Sequence, residues 1–405
     1  MEIRPIVSSL AKSPVAALLI ACQIALSVAI LSNALAIIGQ RMEMIGTKSG
    51  LDEENTFLMR PQVFATNANH RQIIEDDMRL IRGLPGVVAA TPSAFIPLSS
   101  SGWNSTMRTT EEPNEAPNNK NAAIYFGDSQ ALNTYQIKLL SGRNFTAEEI
   151  EYLDERGNPD PTVVIITKSL AERLYPGESA LGKRLDINGS EGPLKQQVIG
   201  VVEDIASPWP RSRQPKQVVM ITVVSLQFQT YLVRTEPGLR DGLMKRAEAD
   251  LLAAYDGRLI EHVQAFASVR TDAFRSEFAM AIILAVISLL LLIITGFGIV
   301  GQTSFWVVQR TKQIGTRRAL GARKADILRY FQMENALITG VGALLGVLLA
   351  FALNYLLARL LAAEPLPFAF VPVAVLSLVA LGQIAVYFPA RRASLVPPAI
   401  ATRTA

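Results

Sequence analysis

Four stretches of this chain stay apolar long enough to cross a lipid bilayer, and they constrain everything else. Residues 14–38 run for 25 positions without a charged side chain. At ~1.5 Å per residue, a helix of that length covers a hydrocarbon core ~30 Å thick. Residues 278–301, 337–361 and 368–388 repeat the pattern. The last two are separated only by residues 362–367 (AAEPLP), which is room for a hairpin and nothing more. The fold class that follows is a membrane α-helical protein with four transmembrane helices. Residues 40–275, between the first and second spans, must then lie wholly on one side of the membrane. Ala34-Leu35-Ala36 imitates a signal-peptidase site, but the apolar region exceeds the ~7–15 residues of a signal h-region, so a retained signal-anchor is expected.

Charge gives the orientation. Residues 309–328 read QRTKQIGTRRALGARKADIL and carry Arg310, Lys312, Arg317, Arg318, Arg323 and Lys324 against Asp326 alone. A short basic loop between two membrane-length runs marks the cytoplasmic side. Arg4 and Lys12 in the N-terminal residues 1–13, and PARR at 389–392 in the C-terminal residues 389–405, point the same way. Both termini are therefore expected in the cytoplasm, with residues 40–275 outside. On this basis alone the cations need only enforce topology or touch anionic headgroups of the bilayer.

The formal net charge of +4 conceals a division. Residues 40–275 hold 26 basic and 30 acidic side chains, a net of −4, whereas the remainder holds 13 against 5, a net of +8. The positive excess thus belongs to the membrane flanks and does not form a nucleic-acid surface. Cys22, the single cysteine, lies in the first apolar run, so an intrachain disulfide is excluded. His70 and His262 are the only histidines, too far apart in sequence for a zinc site or a histidine-based triad to have support.

Residues 40–275 have the composition of a soluble α/β ectodomain. Strands are predicted at 56–63, 87–90, 122–126, 162–166, 198–202, 218–224 and 231–233. Helical spacing marks 70–84, 168–174 and 239–255, with Pro85-Gly86 and Pro176-Gly177 as stops. Polar loops fall at 111–121 and 208–217. Two subdomains are expected: the flanks 40–100 and 215–275 form one, and residues 101–214 form a second, inserted one. The helix of the second span is expected to begin before the membrane, near Ser268, giving a continuous rod from ectodomain into bilayer.

Several motifs match a pattern without its context. GESALGKR at 177–184 satisfies G-x-x-x-x-G-K, but Arg184 stands where a P-loop needs Ser or Thr, and a helix precedes it instead of a strand. The segment reads as a helix stop before a strand, with Gly182 in the turn. GFGIVG at 296–301 satisfies G-x-G-x-x-G inside an apolar run, where Gly296, Gly298 and Gly301 serve helix packing better than a dinucleotide. Gly342 and Gly346 stand at G-x-x-x-G spacing in the third span. Asn33, Gln302, Asn354 and Gln383 are expected to hydrogen-bond between helices. With no charged side chain in the middle of a span, an ion-coupled transporter has little support. The sequons at Asn104, Asn144 and Asn188 carry no assigned role. Trp103 and Trp209 fit partner contacts or core positions equally well.

The string IGTRRALGARKADIL resembles the signature between the second and third spans of MacB/FtsX-type ABC transporter permeases. VVIITKSLAERLYPGESALGKRLDIN, QVIGVVEDI and LLSGRNFTAEEI resemble the periplasmic domain of the MacB type, and PARRA the family's closing segment. The resemblance implies that residues 309–328 form a coupling segment docking on an ABC ATPase dimer through Arg310, Lys312, Ile314, Gly315, Arg317, Arg318, Ala319, Leu320, Gly321 and Ala322. ATP and Mg²⁺ would be bound by that ATPase, expected on another polypeptide, and this chain would bind no cofactor of its own. The implied setting is a bacterial inner membrane, with a periplasmic domain changing shape to drive export. A second permease copy, or a paralogous permease, is implied, as are a periplasmic adaptor and an outer-membrane channel. Gln309 and Gln313 stand where family members commonly carry glutamate, and Val396 where an acidic residue is common; the first two allow pairing with a second, more orthodox permease. Two other roles share the topology: an FtsX-type mechanotransmitter that switches on a cell-wall hydrolase, and a lipoprotein-releasing permease. The large two-part ectodomain favours an exporter over the first.

Overall fold

A computed structural model describes residues 14–64, 68–109, 120–153, 159–187, 193–212, 216–227, 229–361 and 365–395. Parts of the loops at 111–121 and 208–217, the Asn188 sequon, half of the turn after the third span, and both terminal segments, Val396 included, lie outside them. The chain divides into two compact units, Met44–Ser276 and the helices formed before and after it.

Two sheets build the first unit. Strands β1 (Thr56–Val63), β2 (Val87–Ser93), β12 (Thr230–Thr235) and β13 (Arg258–Ala265) form a four-stranded sheet in the order β13-β1-β12-β2. Helices α2 (His70–Arg82) and α5 (Arg240–Ala254) supply apolar side chains to its core. Alternation along the strands separates two cores. Phe57 and Met59 of β1, with Tyr231 and Val233 of β12, join Ile74, Met78, Ile81 and Leu251 from the helices. Leu58 and Leu232 point the other way, into a core shared with the second sheet. Asn69 caps α2 by accepting a hydrogen bond from the backbone of Gln72 at 3.2 Å.

The second sheet contains β3 (Trp103–Thr106), β4 (Asn121–Phe126), β5 (Leu139–Gly142), β7 (Val163–Thr167), β8 (Arg184–Leu185), β9 (Gln196–Val202) and β10 (Val218–Ile221). Its order is β3-β4-β10-β7-β9-β5, with β8 on the side of β9. The same period of two operates here: Ala123, Tyr125, Ile165 and Met220 face the shared core, while Ile124, Phe126, Val164, Ile166, Val219 and Ile221 face a third, which α4 (Lys168–Leu174) covers with Leu170 and Leu174. Short helix α3 (Ala131–Tyr135) adds Tyr135, stacked on Tyr125 with centroids 6.0 Å apart. Strands β6 (Glu151–Leu153) and β11 (Val223–Ser225) pair separately, in parallel.

The subdomain boundary differs from the one expected. The sequence places residues 215–275 in the flanking subdomain, but β10 lies within the inserted sheet, parallel to β4 and antiparallel to β7. All four of its residues are buried. A continuous apolar run carries no alternation to say which sheet it enters, and pairing decides it. Strand β13 has no counterpart in the sequence reading: RLIEHVQA is polar for a strand, and β13 bulges at its pairing with β1, where His262 takes a φ of +52°. Trp103 and Trp209 both pack against cores.

The second unit contains α1 (Pro14–Gly46), most of α6 (Phe266–Gln309), α7 (Thr311–Ala319), α8 (Lys324–Leu361) and α9 (Phe370–Ser394). All but α7 are long and apolar enough to cross a membrane. Each extends past its apolar run at one end or both, because a helix needs hydrogen bonds in register rather than apolar side chains to continue. Helix α6 starts at Phe266, close to the expected Ser268. From α1, Ile20, Ile24, Val28 and Leu31 form an inward stripe at helical spacing.

Candidate functional site

The basic stretch does not form a uniform charged loop. Helix α6 runs to Gln309, Arg310 breaks the helical path with φ −100° and ψ 11°, and nine residues of α7 follow. Leu320 and Gly321 then end α7. Gly321 takes a φ of +96°, its N–H donates to the Arg318 carbonyl at 3.2 Å, and the N–H of Ala322 donates to the Arg317 carbonyl at 3.1 Å. This is the Schellman arrangement, which wants glycine at the left-handed position. Helix α8 opens with Asp326 accepting from the backbone of Arg323 at 2.9 Å, so the one acid of the stretch serves as a cap. Residues 324–328 are thus the first turn of α8 rather than loop.

One face of α7 is turned inward. Ile314 and Gly315 are buried, and Ile314 shares a core with Trp306, Ile327, Phe331, Ala390 and Ala393. Arg310 Nη1 donates to both carboxylate oxygens of Glu334, each at 2.8 Å. Arg318 Nη1 donates to the carbonyl of Ser394, the last residue of α9. The opposite face is open: Lys312, Arg317, Ala319, Leu320 and Gly321 are exposed, as are Arg323 and Lys324. Leu320 is 84% exposed, an unusual state for leucine beside a helix end. Arg317 lies over the ring of Tyr330 at 4.8 Å, and Ala322 is half-buried against the core. The ten residues singled out from the sequence therefore divide into inward anchors and an outward surface. Glu334, which holds Arg310, was not among them; it sits between the basic stretch and the apolar run, where no periodicity marks it.

The glycines of the spans behave differently from one another. A Cβ on Gly342 would lie 2.8 Å from the Ala21 carbonyl oxygen, and one on Gly346 would lie 2.6 Å from Val28 Cβ and 2.8 Å from the Ala25 carbonyl oxygen. Helix α8 approaches α1 there backbone to backbone. On α6, Gly298 faces the amide of Gln23 and Gly296 makes ordinary contact with Leu381, but Gly301 faces open space. A Cβ on Gly301 would meet nothing within 4 Å among the described residues. Asn33 Nδ2 donates to the Ala350 carbonyl at 3.1 Å, and Asn354 Oδ1 accepts from the backbone of Leu366 at 3.0 Å.

In the other unit, GESALGKR forms the turn between α4 and β8, with Gly177 and Gly182 at positive φ and Lys183 paired to Glu178 at 2.7 Å. A cleft of about 460 Å³ opens beside the N-terminal half of α2, between Phe64, His70, Ile73, Leu226 and Gln229. Behind it Asp77 accepts from Tyr231 at 2.7 Å and pairs with buried Arg258 at 2.8 Å. Burial pushes the Asp77 carboxyl above its usual range, against the pull of Tyr231 and Arg258.

A family model described as the MacB-like periplasmic core domain matches residues 17–250, over half of the chain, and one described as the FtsX-like permease C-terminal matches residues 285–398. The macrolide export ATP-binding/permease protein MacB of Pasteurella multocida (strain Pm70) is 27% identical over 332 residues, which is 80% of this chain and 48% of that protein. The MacB protein of Wolinella succinogenes is 26% identical over 374 residues, 89% of this chain and 53% of that protein. The chain spans about half the length of the curated relatives it matches. The crystal structure of the periplasmic region of MacB from Actinobacillus actinomycetemcomitans aligns with a TM-score of 0.34 at 14% identity, covering 57% of this chain and 97% of that one. A central domain matching the MacB-like periplasmic core, followed by spans matching the FtsX-like permease C-terminal, defines the lineage: the chain belongs to the MacB/FtsX-type family of ABC transporter permeases.

Proposed function

We propose that this chain is the permease subunit of a MacB-like ABC transporter in a bacterial inner membrane, with both termini and α7 in the cytoplasm. A partner ATPase dimer, which binds ATP and Mg²⁺, pushes on α7. The movement changes the shape of residues 44–276 on the periplasmic side and drives an extracytoplasmic substrate onward. The chain itself is non-catalytic in this reading. A second copy, or a paralogous permease, completes the complex, and α6 offers the least covered apolar window of the four candidate spans for it. The relatives named for macrolide export support an exporter over a regulator of wall hydrolysis. In this reading a periplasmic adaptor and an outer-membrane channel complete the path.

The observation that carries the reading is the two-sided character of α7. A nine-residue helix tied down on one face, and presenting Leu320 amid Lys312, Arg317, Arg323 and Lys324 on the other, suits an acidic groove on a soluble partner. Topology or lipid contact would need the cations, but neither needs a leucine projecting at the helix end. Affinity-purifying the tagged full chain from its native membranes should bring down Mg²⁺-dependent ATP hydrolysis. Lys312→Glu combined with Leu320→Asp should reduce the co-purified activity by about ten-fold or more, the scale of losing one interface anchor. An ATPase retained with unchanged turnover would refute the assignment.

A further inference from the structure

The two ends of α7 are both joints. Arg310 departs from helical geometry at one end, and Gly321 takes a left-handed turn at the other. A push on a nine-residue helix hinged at both ends would be absorbed by the joints unless side chains carried it further. Burial of Ile314 holds α7 close to its neighbours, but apolar contact has no direction and permits sliding. Something must fix the register.

Arg310, Ile314 and Arg318 stand at i, i+4 and i+8, one face of the helix. Of the basic residues in the stretch, Arg310 and Arg318 are the two not turned outward. Arg310 reaches Glu334 with one nitrogen bridging both oxygens at 2.8 Å, and the side chains are 13% and 1% exposed respectively. The Trp306 ring lies 5.6 Å from the Arg310 guanidinium carbon and covers it from the α6 side. At the far end, Arg318 is fastened to the last carbonyl of α9. A buried ion pair contributes little net stability, but removing either partner strands a charge away from water, so the pair resists being pulled apart. Its value is therefore geometric.

We infer that the Arg310–Glu334 pair is the tie that makes α7 and α8 move as one body, with Arg318 carrying the same displacement to the end of α9. Arg310 and Arg318 are positioning residues, and docking belongs to the outward face. The inference rests on α7 being the point of drive. It also separates two classes of defect around α7: changes at Lys312 or Leu320 lose the partner, whereas changes at Arg310 or Glu334 keep the partner and lose transmission.

The test uses the full chain in lipid nanodiscs, with Cys22→Ser and spin labels at Thr316→Cys on α7 and Arg329→Cys on α8, both exposed positions. Pulsed dipolar spectroscopy of this parent should give one narrow distance distribution. Glu334→Gln and Arg310→Lys should each roughly double its width, since the amide removes one charge of the pair and lysine lacks the planar guanidinium that lies beside Trp306. The exchanged pair, Arg310→Glu with Glu334→Arg, should return toward the parent width. Circular dichroism on every variant identifies any that fail to fold, and Arg310→Lys, which keeps the charge, stands in for Glu334→Gln if that variant is lost. Distributions as narrow as the parent's in folded Glu334→Gln or Arg310→Lys overturn the tie, as does a broad distribution in the parent. In the pull-down described above, the two single variants should retain bound ATPase. If no ATPase accompanies even the parent, the drive-point reading fails while the distance result still reports on the tie.

Discussion

Glu149 shows how local chemistry in the ectodomain becomes a pH dependence. Its carboxylate accepts two hydrogen bonds from Arg143, at 2.6 and 3.0 Å, and one from the backbone of Thr146 at 2.9 Å, closing a capping box around the turn after β5. The Arg143 guanidinium is the main reason its pKa falls from 4.5 to about 2. A carboxyl depressed by folding stabilises the native state above its unfolded pKa, and that stability is lost as pH falls toward the folded value. The window is therefore from about 4.5 down to about 2. Because Arg143 is half exposed, solvent screening reduces the contribution to about 1 kcal/mol. Acid unfolding of the full chain in detergent, followed by circular dichroism, should show this loss in the parent and not in Glu149→Gln. Parallel acid limbs in the two proteins would show that the cluster adds nothing.

At the scale of elements, close helix approach gives the sharpest contrast. A methyl group at Gly346 would meet backbone atoms of Ala25 on α1, which cannot rotate away, whereas one at Gly301 would meet open space. Gly346→Ala should cost about 1–3 kcal/mol, read as a lower midpoint in thermal unfolding in detergent, and Gly301→Ala should leave the midpoint unchanged. Equal midpoints would mean that α1 and α8 are not in contact. The sequence makes the spans legible because membrane-length apolar runs have few alternatives, and it makes β1 and α4 legible because turn residues bound their patterns tightly. It does not place β10, whose uninterrupted apolar residues fit either sheet, nor β13, whose charged and amide side chains conceal an edge strand. For α7 the Arg310, Ile314, Arg318 face is visible as a spacing. The partner of Arg310 is not, because Glu334 is 24 residues away on the next helix and only the fold brings the two together.

For the molecule as a whole, the division of charge read from the sequence has a structural counterpart in two compact units. One carries the acidic excess in a two-sheet domain, and the other carries the cations at helix ends. The function proposed above requires that α7 and residues 44–276 face opposite sides of the membrane. Labelling intact cells with a thiol reagent that does not cross the inner membrane tests this directly, using Cys22→Ser chains with one cysteine each at Ser179, an exposed ectodomain position, or at Thr316 on α7. The account predicts that Ser179→Cys is modified before lysis and Thr316→Cys only after it. Modification of Thr316→Cys in intact cells, with Ser179→Cys protected, would contradict it.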